Sequence, residues 1–439
     1  MNALIAAMPA IIVALSFGIA VLFMAGTRYA VYLLVDHRGG TQAVASDDFV
    51  LPTLPMRMLW PLGRTLVLLS VLTIGAGIVL WRFIYGIGSV TNLSNAFPWG
   101  IWIGFDVMSG VALAAGAFVI AATAHILRME RFEPLVRPAI LTGLLGYLLV
   151  VAGLLVDLGR PYNVWRPLVH WQIHSPLWEV GCCVATYTTV LFIEFLPVIL
   201  ERVNHFKPVT SRLPTVSLYK LLRRVGIVFV VLGVVLSTLH QSSLGSLWVL
   251  VPTKLHPLWY TIYLPVFFWI SAVAVGLAMT IVESTLSSKA FKRGLELPLL
   301  AALGKAAAVV LCIYLAAKAA DLVARGAWPL LFQPSLEAAA YWTEIGLGVI
   351  VPAILFMLPG VRQRPWLLFT AAMMVVVFGI VMNRLNVSLT GLLAYTGLIY
   401  TPAWTEIAVS VALVTLGVIA FGLIAKYLPV FPDENEHHA

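Results

Sequence analysis

The stretch from Ile140 to Val156, ILTGLLGYLLVVAGLLV, decides the fold. Its side chains are apolar on nearly every face, and only the hydroxyls of Thr142 and Tyr147 interrupt them. A barrel strand alternates apolar and polar residues over about ten positions, so a run of this kind reads as a helix with no solvated side. Similar runs recur outward in both directions. Each is about 20 residues long, enough to cross a hydrocarbon core of about 30 Å, where a helix satisfies its own backbone groups. The whole chain of 439 residues is 61% hydrophobic and 10% charged, with a mean hydropathy of +0.98. A soluble domain carries about a quarter charged residues. The fold class is therefore an all-α, polytopic transmembrane helical bundle of about 10 to 11 spans. Eleven are expected, centred near residues 20, 73, 113, 147, 188, 233, 272, 309, 351, 375 and 416.

The connecting loops alternate in character, and the alternation orients the chain. One set is basic and holds most of the 27 Lys and Arg: Arg38, Arg57 and Arg64; Arg128, Arg131 and Arg137; the cluster from Arg202 to Arg224; Lys289, Lys292 and Arg293; Arg362 and Arg364; then Lys426. The other set is rich in Trp, Tyr, His, Pro and Gly, as in residues 95–102 (NAFPWGIW), 159–179 (GRPYNVWRPLVHWQIHSPLWE) and 240–260. Basic loops stay in the cytoplasm, which places the N-terminus in the periplasm and the C-terminus in the cytoplasm. The net charge of +8 is thus a topology signal and implies no nucleic-acid partner. The first apolar segment has its positive flank after the core, so it reads as a span and not as a cleavable signal peptide. The chain divides into three units: residues 1–60, an extra N-terminal span with a cytoplasmic loop; 61–430, the main bundle; and 431–439, a cytoplasmic tail.

Ionisable groups within apolar spans are costly and mark function. Four consecutive core spans each place one such group in the outer half of the membrane: Asp106, Tyr147, Glu179 and His240. Asp106 shares a helical face with Trp102, Ser109 and Gly110, and Gln241 follows His240. A quinone needs a hydrogen-bond partner at each oxygen and two protons on reduction, a set that histidine, tyrosine and a carboxylate in an apolar slot supply. Trp102, Tyr147, Glu179, His240 and Gln241 are the expected quinone contacts, with Glu179, His240, Tyr147 and Asp106 handling protons. Glu283, at the cytoplasmic end of its span, is a candidate proton uptake or release point or a snorkelling acid paired with Lys289 or Lys292. Glu194 lies on the face of Glu179 and could serve the inner end of such a route together with Glu201. Glu344, Glu406, Arg384 and Lys305 are expected to form salt bridges among the later spans.

No metal site is expected. Cys182, Cys183 and Cys312 are too few for an iron-sulfur cluster. A bis-histidine haem would need two facing histidines within spans, and only His240 qualifies. Each site residue also has a structural reading, in which the carboxylates tie helices together and Tyr147 merely packs.

From residue 82 onward, FIYGIGSVTNLSNAFPWGIWIGFD, LVRPAILTGLLGY, SPLWEV, EFLPVILER, LHQSSLGSLW, KLHPLWY, IVES and TPAWTE occur in one order. This series resembles the polysulfide reductase NrfD family of membrane quinone subunits, most closely the HybB type of group 1 nickel-iron hydrogenases. The resemblance implies menaquinone or ubiquinone as exchangeable substrate and a ferredoxin-like Fe-S subunit on the periplasmic face of the bacterial inner membrane. It also implies separate catalytic subunits, nickel-iron large and small, and possible proton translocation by a chain that carries no catalytic metal. By motif it assigns roles to Asp106, Tyr147, Glu179, His240 and Glu283. The alternatives are the same module in a polysulfide, tetrathionate or nitrite reductase or a formate dehydrogenase, a passive anchor, and a transporter without redox partner. No inverted repeat or pair of broken half-helices supports the transporter.

Overall fold

The computed structural model describes residues 62–204 and 214–431. Among these residues there is no strand, and ten helices are long and apolar enough to span a membrane. They are α1 Leu66–Tyr85, α2 Trp102–Ile126, α3 Glu130–Asp157, α4 Pro176–Val203, α5 Thr215–Val249, α6 Leu264–Phe291, α7 Leu297–Ala324, α8 Leu336–Met357, α9 Pro365–Thr396 and α10 Trp404–Tyr427. They coincide with the ten expected spans after the first. The span expected near residue 20 and the tail from 432 lie outside the described residues.

Burial sorts the helices. The most apolar stretch of helix α2 is 78% buried and that of α6 67%, whereas those of α1, α5 and α10 are each 22% buried and form the margin of the described bundle. Helices α2 to α5 pack as one group and α6 to α9 as another, with α6 also packed against α2 and α5. Helix α10 lies against α1 and α3. Contacts between loops join loops of one set. Arg82, at the end of α1, donates to the carbonyls of Val156 (2.6 Å) and Leu158 and so caps α3, while His256 donates its backbone NH to Gly391 (2.7 Å). At the opposite end, Arg137 bonds the Pro429 carbonyl (2.9 Å) and pairs with Glu201 (3.1 Å). The bundle therefore has a basic face and an aromatic face.

Several spans contain a wide π turn, which re-aims side chains: Trp102–Ser109 and Ala122–Ile126 in α2, Gly346–Ile350 in α8 and Val375–Val381 in α9. The last two cross where Gly348 meets Gly379, and a Cβ on Gly348 would overlap the Gly379 backbone. Without hydrophobic attraction between helices in lipid, close backbone approach through small residues is what holds such a crossing.

The second helix group is tied by a buried polar network. Glu344 accepts from Lys318 Nζ (3.1 Å) and Asn383 Nδ2 (2.8 Å) on one oxygen, and from Trp259 Nε1 (2.9 Å) and Asn386 Nδ2 (3.0 Å) on the other. Arg384 lies 3.6 Å over the Phe268 ring and donates to Asn383, Ser271 and the Phe268 carbonyl. The expected salt bridges thus need correction. Lys305 is exposed and Glu344 pairs with Lys318, because only Lys318 points inward on α7. Glu406 accepts from the Asn92 NH (2.7 Å) and the Tyr400 hydroxyl and pins the 86–101 loop to α10. Replacing Glu344 by Leu leaves a buried lysine uncompensated, so the protein in detergent should lose about 3 kcal/mol or more. Lys305→Leu should stay within about 0.5 kcal/mol. Thermal unfolding midpoints of the two variants check this, and equal midpoints would refute the assignment.

Candidate functional site

The expected residues separate into two places, divided by α3. On one side lies a buried cluster between α3, α4 and α5. The Tyr147 hydroxyl and His240 Nδ1 are 2.9 Å apart, and both residues are fully buried. The Tyr187 ring of α4 meets Tyr147 edge-on at 4.6 Å. Gln241 donates from Nε2 to the Val111 carbonyl (3.0 Å), which ties α5 to α2. His240 Nε2, Tyr187 OH, Gln241 Oε1 and Ser237 Oγ are all buried without a hydrogen-bond partner among the described residues. Four open polar atoms in one buried place are unusual, since burying each without a partner costs about 1 to 3 kcal/mol.

The cluster extends toward the basic face through Gly233. A Cβ on that residue would lie 3.4 Å from Glu194 Oε1 and 3.5 Å from Tyr187 Cε2, so the missing side chain leaves the space in which both groups meet α5. Glu194, Tyr187, Tyr147 and His240 therefore follow one another from the inner part of α4 to the outer part of α5, with the hydrogen bond between Tyr147 and His240 closing the outer end. The expected companion Glu201 is instead ion-paired with Arg137.

Glu179 stands above this cluster. Ser175 caps α4 by accepting the Trp178 NH (3.4 Å), Pro176 opens the helix, and the first turn holds Glu179 half-buried, where the helix dipole favours an acid. Cys183 and Tyr187 continue its face toward Tyr147, and eight residues at 1.5 Å place Glu179 about 12 Å above Tyr187. It makes no hydrogen bond to Tyr147 or His240.

On the other side of α3, the predicted face of α2 holds and points to α10. Trp102 Nε1 donates to the Glu406 carbonyl (3.1 Å), and Ser410 donates to Asp106 Oδ2 (2.6 Å). Ser109 leaves that face, because the wide turn lets it bond the Gly104 carbonyl (2.8 Å). Asp106 and Glu283 line opposite parts of one cavity between α2, α3, α6 and α10. Trp102 and Asp106 are thus apart from Tyr147, His240 and Gln241. Sequence reasoning missed Tyr187 and Ser237. The first lies eight residues after Glu179 and the second three before His240, spacings that put each on its neighbour's face.

A curated protein of Nitratidesulfovibrio vulgaris is 41% identical to this chain over 84% of it and 95% of the relative. The Escherichia coli protein named probable Ni/Fe-hydrogenase 2 b-type cytochrome subunit is 30% identical over 86% of the chain and 98% of the relative. The integral membrane subunit of the Nitratidesulfovibrio vulgaris menaquinone reductase is 31% identical over 80% and 87%. The E. coli name raises haem, which two histidines facing each other at one depth would have to hold. Among the described histidines only His240 is fully buried, and its Nδ1 is engaged by Tyr147. His125 lies at the far, basic end of α2, and His170, His174 and His256 lie in loops. These residues do not fit a bis-histidine haem. The profile of the family described as Polysulphide reductase, NrfD matches residues 89–396, the span of α2 to α9. The chain is a multi-pass integral membrane protein that belongs to the NrfD family.

Proposed function

We propose that this chain is the quinone-handling membrane subunit of a respiratory oxidoreductase in a bacterial inner membrane. It exchanges electrons between the quinone pool and an Fe-S subunit docked on the aromatic face, with nickel-iron hydrogenase subunits as the catalytic partners. The observation that carries the reading is the buried Tyr147–His240 hydrogen bond with His240 Nε2 left open. Reduction of a quinone to a quinol takes two electrons and two protons. The electrons come from the partner subunit, so the residues of this chain have the protons to supply. His240 and Tyr147 hold a proton within a slot free of competing hydrogen bonds, and Glu194, through Tyr187, replenishes it from the side of the basic face. Glu179 sits at the aromatic end of the same face of α4, where a quinone headgroup reaches the relay. The names of the E. coli and Nitratidesulfovibrio vulgaris relatives, one a hydrogenase subunit and one a menaquinone reductase subunit, support both the partner and the ligand class.

The Tyr147→Phe variant keeps the ring stack and removes only the relay hydroxyl. In membranes it should lower quinone turnover about a hundredfold or more, with dye-linked activity of the catalytic subunits and the amount of assembled complex unchanged. Undiminished turnover would refute the relay. Glu194→Gln should slow turnover as well, while Glu201→Gln should lower stability by about 1 kcal/mol or less and leave turnover alone, because its pair with Arg137 is partly solvated. Affinity purification of the tagged chain in mild detergent should bring down an iron-sulfur subunit. A preparation that contains the chain alone, from membranes active in quinone reduction, would sink the partner assignment.

A further inference from the structure

The cavity between α2, α3, α6 and α10 is not part of the relay. Its walls are apolar, with Leu113, Leu145, Met279, Leu286, Val418 and Phe421 among them. Along α6 it runs from Met279 to Phe291, about 18 Å at 1.5 Å per residue. Glu283 projects into it while only 8% exposed, and both of its carboxyl oxygens lack a hydrogen-bond partner among the described residues. The Thr142 hydroxyl, across the cavity on α3, is likewise buried and unpartnered. Asp106, the third polar group in the walls besides Ser287, is already satisfied by Ser410. The cavity thus offers a long apolar sleeve with two open hydrogen-bonding groups at one level.

We propose that this cavity is a second isoprenoid-quinone site, in the half of the membrane nearer the basic face. The ring oxygens lie against Glu283 and Thr142, and the chain fills the sleeve toward Asp106. Three observations select this occupant. The lining residues include two carboxyl groups and no cation, so a phosphate headgroup is repelled. Arg293, the nearest base, is turned to Ser287 Oγ (3.2 Å) and lies 3.7 Å over the Phe431 ring, outside the cavity walls. Glu283 is eight residues inside the end of α6, about 12 Å deep, where a neutral headgroup is at home and a charged one is not. A carboxyl group suits both forms of the ligand, because as an acid it donates to a quinone carbonyl and as a carboxylate it accepts from a quinol hydroxyl. The site binds and exchanges the ligand. No electron transfer is assigned to it. The proposal shares with the preceding reading only the class of ligand.

The intact complex, reconstituted in nanodiscs, is photolabelled with an azido-naphthoquinone carrying a short isoprenoid chain, and labelled peptides are mapped. Label is expected on 279–291 and 413–422, separately from label near Tyr147 and His240. Val418→Trp, which fills the sleeve, should abolish the first set and spare the second. Glu283→Leu should weaken the first set about tenfold, the loss of one hydrogen bond to the quinone carbonyl, and Glu283→Gln, which still donates, should restore most of it. Absence of label on 279–291 and 413–422 overturns the second site and leaves the relay untouched, whereas absence near Tyr147 and His240 alone overturns the location of the relay and leaves the second site standing. Native mass spectrometry gives a further check. A phospholipid that copurifies with the wild type and is lost in Val418→Trp, with no quinone lost, overturns the assignment in favour of a structural lipid.

Discussion

A hydrocarbon environment gives a polar side chain no water to fall back on, and the surroundings of Glu344 are built to make good that lack. Its two oxygens collect four donors from α7, from α9 and from the loop before α6. Nothing in this arrangement is left open at the carboxylate, so the group acts as a rivet for the second helix group. Removing Glu344 or Lys318 would leave the other as a buried, unpaired charge. The rest of the bundle hangs on this half, because α6 belongs to it and also forms a wall for α2 and α5.

Against that background the first helix group is conspicuous for what it leaves unpaired. His240, Tyr187, Ser237 and Gln241 each keep a buried polar atom free, as do Thr142 and Glu283 across α3. The carboxylate of Glu344 is closed and serves the frame. The atoms left open between α3, α4 and α5 and at Glu283 are ones that only a visiting molecule or proton can use, and this is where a site for a small neutral ligand belongs.

Length and hydropathy were enough to read ten spans, and the loop charges were enough to read two faces, because both depend on the solvent and not on tertiary detail. The Tyr147–His240 pair was legible as chemistry, and the face of Trp102 and Asp106 as geometry. Their separation was not legible, since a helical wheel says which residues share a face but not which neighbour that face meets. Asp106 turned to α10 through Ser410, 304 residues away in sequence. The pairing of Glu344 with Lys318 and not Lys305 was lost for the same reason. The wide turns in α2, α8 and α9 have no single-residue signature, so the displacement of Ser109 from its expected face could not be anticipated.

Helix α3 places Gly146 and Tyr147 side by side in sequence yet in different chambers, one in the wall of the cavity and the other in the relay. A partition a single helix thick has no interior of its own in which to absorb a displacement. A substitution that displaces α3 therefore reaches the walls of both chambers, whichever side carries it. The helix has no idle face, and its residues serve two rooms at once.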